Sequence, residues 1–126
     1  MRVLLDTHIV LWWLADYPRL PPAAAAVITD RDTDVFVSAA TAWEISIKQA
    51  AGRLEAPADF LDAVAANEFA TLAITAEHAL AAGRLPPRHA DPFDRMLIAQ
   101  AQIETLTLIS VDRRFSEYEV DLLPLN

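Results

Sequence analysis

Four acidic residues carry the strongest chemical signal in this chain. Asp6 closes the first apolar run, Glu44 and Asp94 open two helical patterns, and Asp112 follows a late apolar run. Carboxylates that folding brings together suit a hard divalent ion, which takes oxygen ligands and, in the case of magnesium, keeps several waters beside one or two carboxylates. Such an ion lowers the pKa of water and neutralises charge growing on phosphate oxygens, and one or two ions suffice. Water, rather than a side chain, is then the expected nucleophile. The chain has no cysteine, no Gly-x-Ser-x-Gly element and no Gly-rich phosphate loop, which argues against covalent hydrolases and nucleoside triphosphatases.

The elements around these acids must deliver them to one place. Val3 to Leu5 is continuously apolar, as in a strand buried on both faces of a parallel sheet, and Asp6 sits at its carboxyl end. Val35 to Val37 leads through Ser38 into a helix whose expected stripe is Trp43, Ile47, Ala51 and Leu54, with Glu44 in the first turn. Asp91-Pro92-Phe93-Asp94 opens a helix running to about Glu104, and Leu106 to Val111 forms a strand that ends at Asp112. Ligands of open parallel sheets bind beyond the carboxyl ends of the strands, so all four acids are expected on one edge.

The remaining segments complete the pattern. Pro22 starts a helix through Ala23 to Ala26, Phe60 to Ala65 suggests another, Ala70 to Ile74 a short strand, and Thr75 to Ala82 a capped helix. Val120 to Leu123 is a candidate last strand. The expected fold is a three-layer α/β/α sandwich with a central, mainly parallel sheet of four or five strands, formed as a single domain over residues 1–126. Gly52 and Gly83 each stand in the middle of a repeated Ala-Ala-Gly-Arg-Leu pentapeptide, which helix C-capping explains better than duplication.

Composition narrows the function. The 126 residues are 54% hydrophobic, enough for a core on both sides of a sheet. Ile9 to Ala15 is too short to span a bilayer and lacks the basic flank of a leader, so no membrane association and a cytoplasmic location are expected. The formal net charge of −8 excludes broad binding to nucleic acid through a basic surface. Local cations remain: Arg113 and Arg114 after Asp112, Lys48 one turn after Glu44, and Arg84, Arg88 and His89 ahead of Asp91. These either contact phosphate beside the ion or are ordinary solvated charges.

Each acid also has a plain structural reading. Glu44 can form a capping box with Thr41 or pair with Lys48. Asp91 fits an N-cap, Asp94 complements a helix dipole, and Asp112 can start a turn. Asp6 is hardest to explain this way, because a charge ending a buried strand needs a partner. His8 is expected to pack or cap, no histidine pair has ligand spacing, and Trp12, Trp13 and Trp43 are expected in the core or a subunit interface. Asp30, Asp32 and Asp34 do not make a calcium loop, since Val35 and Thr41 stand where Gly and Glu are required.

The chain resembles PIN-domain proteins, specifically VapC-type toxin ribonucleases. Leu5-Asp6-Thr7-His8 with Leu11 to Leu14 is similar to the family's first motif, and Val37-Ser38 through Trp43-Glu44-Ile45 to its second. Asp91 to Arg95 with Leu97 to Ala101 resembles the third, and Ile109-Ser110-Val111-Asp112 with Phe115 the fourth. The resemblance implies Asp6, Glu44, Asp94 and Asp112 as catalytic, metal-binding residues for Mg2+ or Mn2+, with Thr7 a small polar neighbour and Asp91 behind the site. It also implies endonucleolytic cleavage of an RNA substrate, a homodimer, and a cognate antitoxin that blocks the site. Two alternatives stand beside it. A phosphoryl-transfer or phosphatase-type domain would want Asp-x-Asp after the first strand or a Lys after the last, where Thr7-His8 and Asp112 stand; a noncatalytic interaction domain has no need of four acids.

Overall fold

Val3, Leu4 and Leu5 have no solvent exposure, so their strand must be covered on both faces. The computed structural model, which describes residues 1–126, shows how. Strand β1 (Arg2–Leu5) pairs in parallel with β2 (Asp34–Ser38) on one side and β4 (Thr107–Ile109) on the other, and β3 (Ala70–Leu72) extends the sheet beyond β2. The order is β3-β2-β1-β4, entirely parallel. Alternation along β1 sends Val3 and Leu5 to one face, where they pack with Val35, Val37 and Ile109 against helices α1 (Thr7–Leu14), α2 (Pro22–Thr29), α3 (Ala39–Ala50) and α4 (Phe60–Ala66). Leu4 and Leu108 face the other side and meet Leu97, Ile98 and Ala101 of α6 (Pro92–Glu104) with Phe115 of a 3-10 turn (Arg113–Glu117). Helix α5 (Ala76–Arg84) packs on α6. The result is the expected three-layer α/β/α arrangement, and no helix is long and apolar enough to cross a membrane.

Four strands form, and the fifth is reduced to one bridge. Leu122 pairs with Leu108, the Leu108 N–H donating to Asp121 O at 2.8 Å and the Leu123 N–H to Leu108 O at 3.0 Å. Pro124 follows and has no N–H to prolong the ladder. Strand β4 likewise stops at Ile109, before the exposed Val111.

Helix α3 corrects two expectations. It begins at Ala39 behind Ser38, whose hydroxyl accepts from Ala40 N–H, so Ser38 rather than Thr41 is its cap and Glu44 lies in the second turn. Its buried face is Ala40, Thr41, Glu44 and Ile45, whereas Trp43 is 59% exposed and Ile47 45%. Ala51 and Leu54 lie past the helix end. The stripe through Trp43 and Ile47 is apolar but points outward, and period alone cannot say which apolar face a neighbour covers. Gly52, with φ +67°, does provide the left-handed residue after α3. Gly83 does not, for it lies inside the last turn of α5, which ends on extended Leu85.

The connection between α5 and α6 is fastened by Arg95. Its guanidinium donates to the carbonyls of Ala82 and Leu85 at 2.8 Å, Pro86 at 3.0 Å and His89 at 3.3 Å. A lysine cannot spread donors in this fork. Arg95→Lys is therefore expected to lower the unfolding free energy by about 2 kcal/mol, a figure set by hydrogen bonds to charged groups and measurable by urea denaturation.

Candidate metal centre

β1 lies between β2 and β4, so the chain leaves the sheet in opposite directions on either side of it, and the crevice forms beyond its carboxyl end. Asp6 enters that crevice as the N-cap of α1, its Oδ1 accepting the Ile9 N–H at 2.9 Å. Its Oδ2 accepts from the Ser110 hydroxyl, delivered by the segment after β4. The same hydroxyl accepts the Asp112 N–H at 3.0 Å, which ties the first acid to the last. Asp6 is 5% exposed, and loss of hydration outweighs these hydrogen bonds, raising its pKa to about 6.

Glu44 arrives from the buried face of α3. Its Oε1 accepts from the Thr7 hydroxyl at 2.6 Å and its Oε2 pairs with Lys48 at 2.5 Å, one turn further along. The expected i, i+4 pair is thus present, and so is a contact with Thr7 that spacing could not reveal.

Asp94 stands in the first turn of α6, beyond an N-cap in which Asp91 accepts from Phe93 and Asp94 N–H. Burial raises its pKa first, and the Asp91 and Glu44 charges raise it further, while a hydrogen bond from His89 opposes them. Asp112 caps the 3-10 turn and is gripped by the Arg114 guanidinium, with Nη2 to Oδ2 at 2.7 Å, which holds its pKa below the usual value.

The acids therefore line one edge, though not as one tight ring. Ligand atoms of His89, Asp94 and Asp112 lie within 4.8 Å of one another. Asp6 and Glu44 sit deeper, near enough for their charges to act with that of Asp94. Of the cations, Lys48 and Arg114 already neutralise acids, while Arg113 is exposed and forms no ion pair. Arg88 is turned to the Glu117 carbonyl, and His8 is exposed with its ring 5.9 Å from that of Trp12. Trp12 and Trp13 are half-buried as anticipated; Trp43 lies edge-on to Phe93 and is not core.

His89 was expected only as a phosphate contact or a solvated charge, and its pairing with Asp94 is what the sequence did not show. It is 5% exposed, its Nε2 is 2.7 Å from Asp94 Oδ2, and its ring stands edge-on to Phe115. A search for paired histidines passes over a single one brought in by a loop. The available signal was its place two residues before the Asp91 cap, where the chain must fold back onto the start of α6.

Comparison with known proteins agrees with this architecture. Residues 3–121 match the PIN domain family. The chain is 31% identical over 119 residues to Ribonuclease VapC22 of Mycobacterium tuberculosis, covering 92% of this chain and 91% of that protein. Among solved structures, VapBC2 from Rickettsia felis bound to a promoter DNA fragment superposes with a TM-score of 0.70 at 12% identity, covering 98% of each chain. A toxin-antitoxin complex from Klebsiella pneumoniae gives 0.66 at 18% identity, covering 93% and 92% of the two chains. At those identities the structures speak for the fold.

The raised pKa of Asp6 has a consequence for stability. A carboxyl whose folded pKa of about 6 exceeds its unfolded value contributes stability that is complete below about pH 4 and is lost as pH rises through 6. Asn at this position keeps the cap acceptor without the charge. In metal-free protein, Asp6→Asn is expected to match wild type near pH 4 and to exceed it at pH 7.5 by on the order of 1–3 kcal/mol. Denaturant unfolding across this range checks it; a constant difference at all pH values contradicts it.

Proposed function

The chain belongs to the PIN domain family, and from that premise we propose that it is a metal-dependent endoribonuclease, the toxin of a toxin-antitoxin pair. The observation that carries this reading is a 5% exposed carboxylate at the end of the central strand, facing further acids and lacking a cation of its own. Its relationship to a ribonuclease along nearly the whole chain supports the substrate class.

The donor set fits Mg2+ or Mn2+: carboxylate oxygens without thiolates, on rigid elements at a sheet edge. Asp6, Glu44, Asp94 and Asp112 would hold the ion. When bound, it supplies an acidified water and neutralises charge on the scissile phosphate. The chain's own residues do the rest. Ser110 orients Asp6, Thr7 and Lys48 orient Glu44, and Arg114 orients Asp112. Arg113, adjacent to Asp112, exposed and in no ion pair, is a cation free to meet the RNA backbone.

The partners follow from the same reading. A cognate antitoxin is inferred to block the crevice by presenting Arg or Lys to the acids, since a buried carboxylate group strongly favours a cationic intruder. A homodimer is supported by an open apolar groove lined by Trp43, Ile74, Ala82, Phe93 and Met96, with Trp43 59% exposed. The setting is cytoplasmic, and the whole chain acts as one domain.

Asp6→Asn and Asp94→Asn are each expected to reduce Mg2+- or Mn2+-dependent RNA cleavage by more than the roughly 100-fold that loss of a supporting partner can cost, without unfolding. Glu44→Gln and Asp112→Asn are expected to weaken it as well. Normal activity and metal affinity in both Asp6→Asn and Asp94→Asn sink the reading.

For RNA contact, Arg113→Ala is the clean probe, because Arg114→Ala also releases Asp112. It is expected to raise the RNA dissociation constant and to lower the slope of log affinity against log salt by about 1, at unchanged metal affinity. An unaltered slope returns Arg113 to the solvated surface.

A further inference from the structure

Asp94 lies at the mouth of the crevice, 18% exposed in its side chain, and a first-turn aspartate has free rotation unless something holds it. One oxygen is held. His89 Nε2 lies 2.7 Å from Oδ2, and no protein donor reaches Oδ1. The His89 side chain is only 2% exposed, with its ring braced edge-on by Phe115 at 6.3 Å. Its backbone carbonyl is in turn fixed by Arg95, the residue after Asp94, which also gathers the carbonyls of Ala82, Leu85 and Pro86. The loop delivering His89 is thus clamped to the same helical turn that bears Asp94.

We propose that His89 is a positioning residue: its ring N–H fixes Oδ2 of Asp94 and so leaves Oδ1 turned to the cation. This rests on reading Asp94 as a cation ligand. Direct ligation by His89 is the competing arrangement, because its nitrogen also lies within 4.8 Å of an Asp112 oxygen. The 2.7 Å separation favours the hydrogen bond, since neighbouring ligands of one octahedral ion, each at about 2.1 Å, stand about 3 Å apart. Supporting partners of this kind orient a ligand and typically contribute about 10–100-fold to metal affinity.

The test measures Mn2+ binding to metal-stripped full-length protein by calorimetry, without RNA. His89→Phe, which fills the space but cannot donate, is expected to weaken binding by about 10–100-fold. His89→Gln, whose amide N–H can replace Nε2–H, is expected to recover most of that loss; an equally weak Gln variant, or an unweakened Phe variant, overturns the proposal. Wild-type protein gives an independent measurement should either variant fail to fold. With 15N-labelled histidine, the His89 Nε2–H signal is expected to survive Mg2+ saturation, and its loss through coordination overturns the proposal too. The two readings fail separately. Wild type that binds Mn2+ and cleaves no RNA ends the ribonuclease reading alone, whereas active wild type beside a tightly binding His89→Phe ends this one alone.

Discussion

The carboxylate of Asp6 sets the terms for the rest of the crevice. It terminates a strand whose three preceding residues are wholly buried, so it cannot reach bulk water without dismantling the centre of the sheet. Two hydrogen bonds from the protein stabilise its charged form, yet desolvation outweighs them and the pKa rises to about 6. The fold therefore carries an unfavourable charge at the buried end of its central strand. A shifted carboxyl in a crevice is a mark of a functional site, because a ligand of opposite charge can offset the desolvation cost.

The other acids are supported in different ways, each matched to its depth. Glu44, 6% exposed in its side chain, has a hydroxyl on one oxygen and an ammonium on the other. Asp112, more open, is held by an exposed guanidinium, an ion pair in which solvent screening leaves little net energy. Its value lies in orientation. Asp94 has neither, and only its Oδ2 is engaged, 2.7 Å from the buried His89 Nε2. The site thus retains negative potential where a cation would enter, while Lys48 and Arg114 limit the repulsion at its two sides.

Residues Asp91 to Arg95 concentrate several of these tasks in one turn. Asp91 caps the helix, Pro92 starts it, Phe93 packs against Trp43, Asp94 faces the crevice, and Arg95 reaches back to fasten the preceding loop. The fastening satisfies carbonyls that the end of α5 leaves without helical partners. A short segment can perform all five because successive helical residues point about 100° apart, so each meets a different neighbour.

Much of this was legible in the chain itself. The unbroken apolar run ending in Asp6 identified a parallel strand buried on both faces, since alternation is absent only where neither face meets water, and Leu106 to Val111 a further strand running toward Asp112. Cap chemistry at Asp91-Pro92 located α6, and topology then put four acids on one edge. Which apolar face of α3 is covered was not legible: Trp43 and Ile47 form as good a stripe as Ala40 and Ile45, and the choice depends on where α6 and α1 lie. Nor could the chain reveal that Thr7 meets Glu44, that Ser110 joins Asp6 to Asp112, or that His89 holds Asp94. Local pattern records what a residue needs from water and from its own helix or strand. Which side chain supplies a hydrogen bond across 37 or 104 positions is decided only when the layers close.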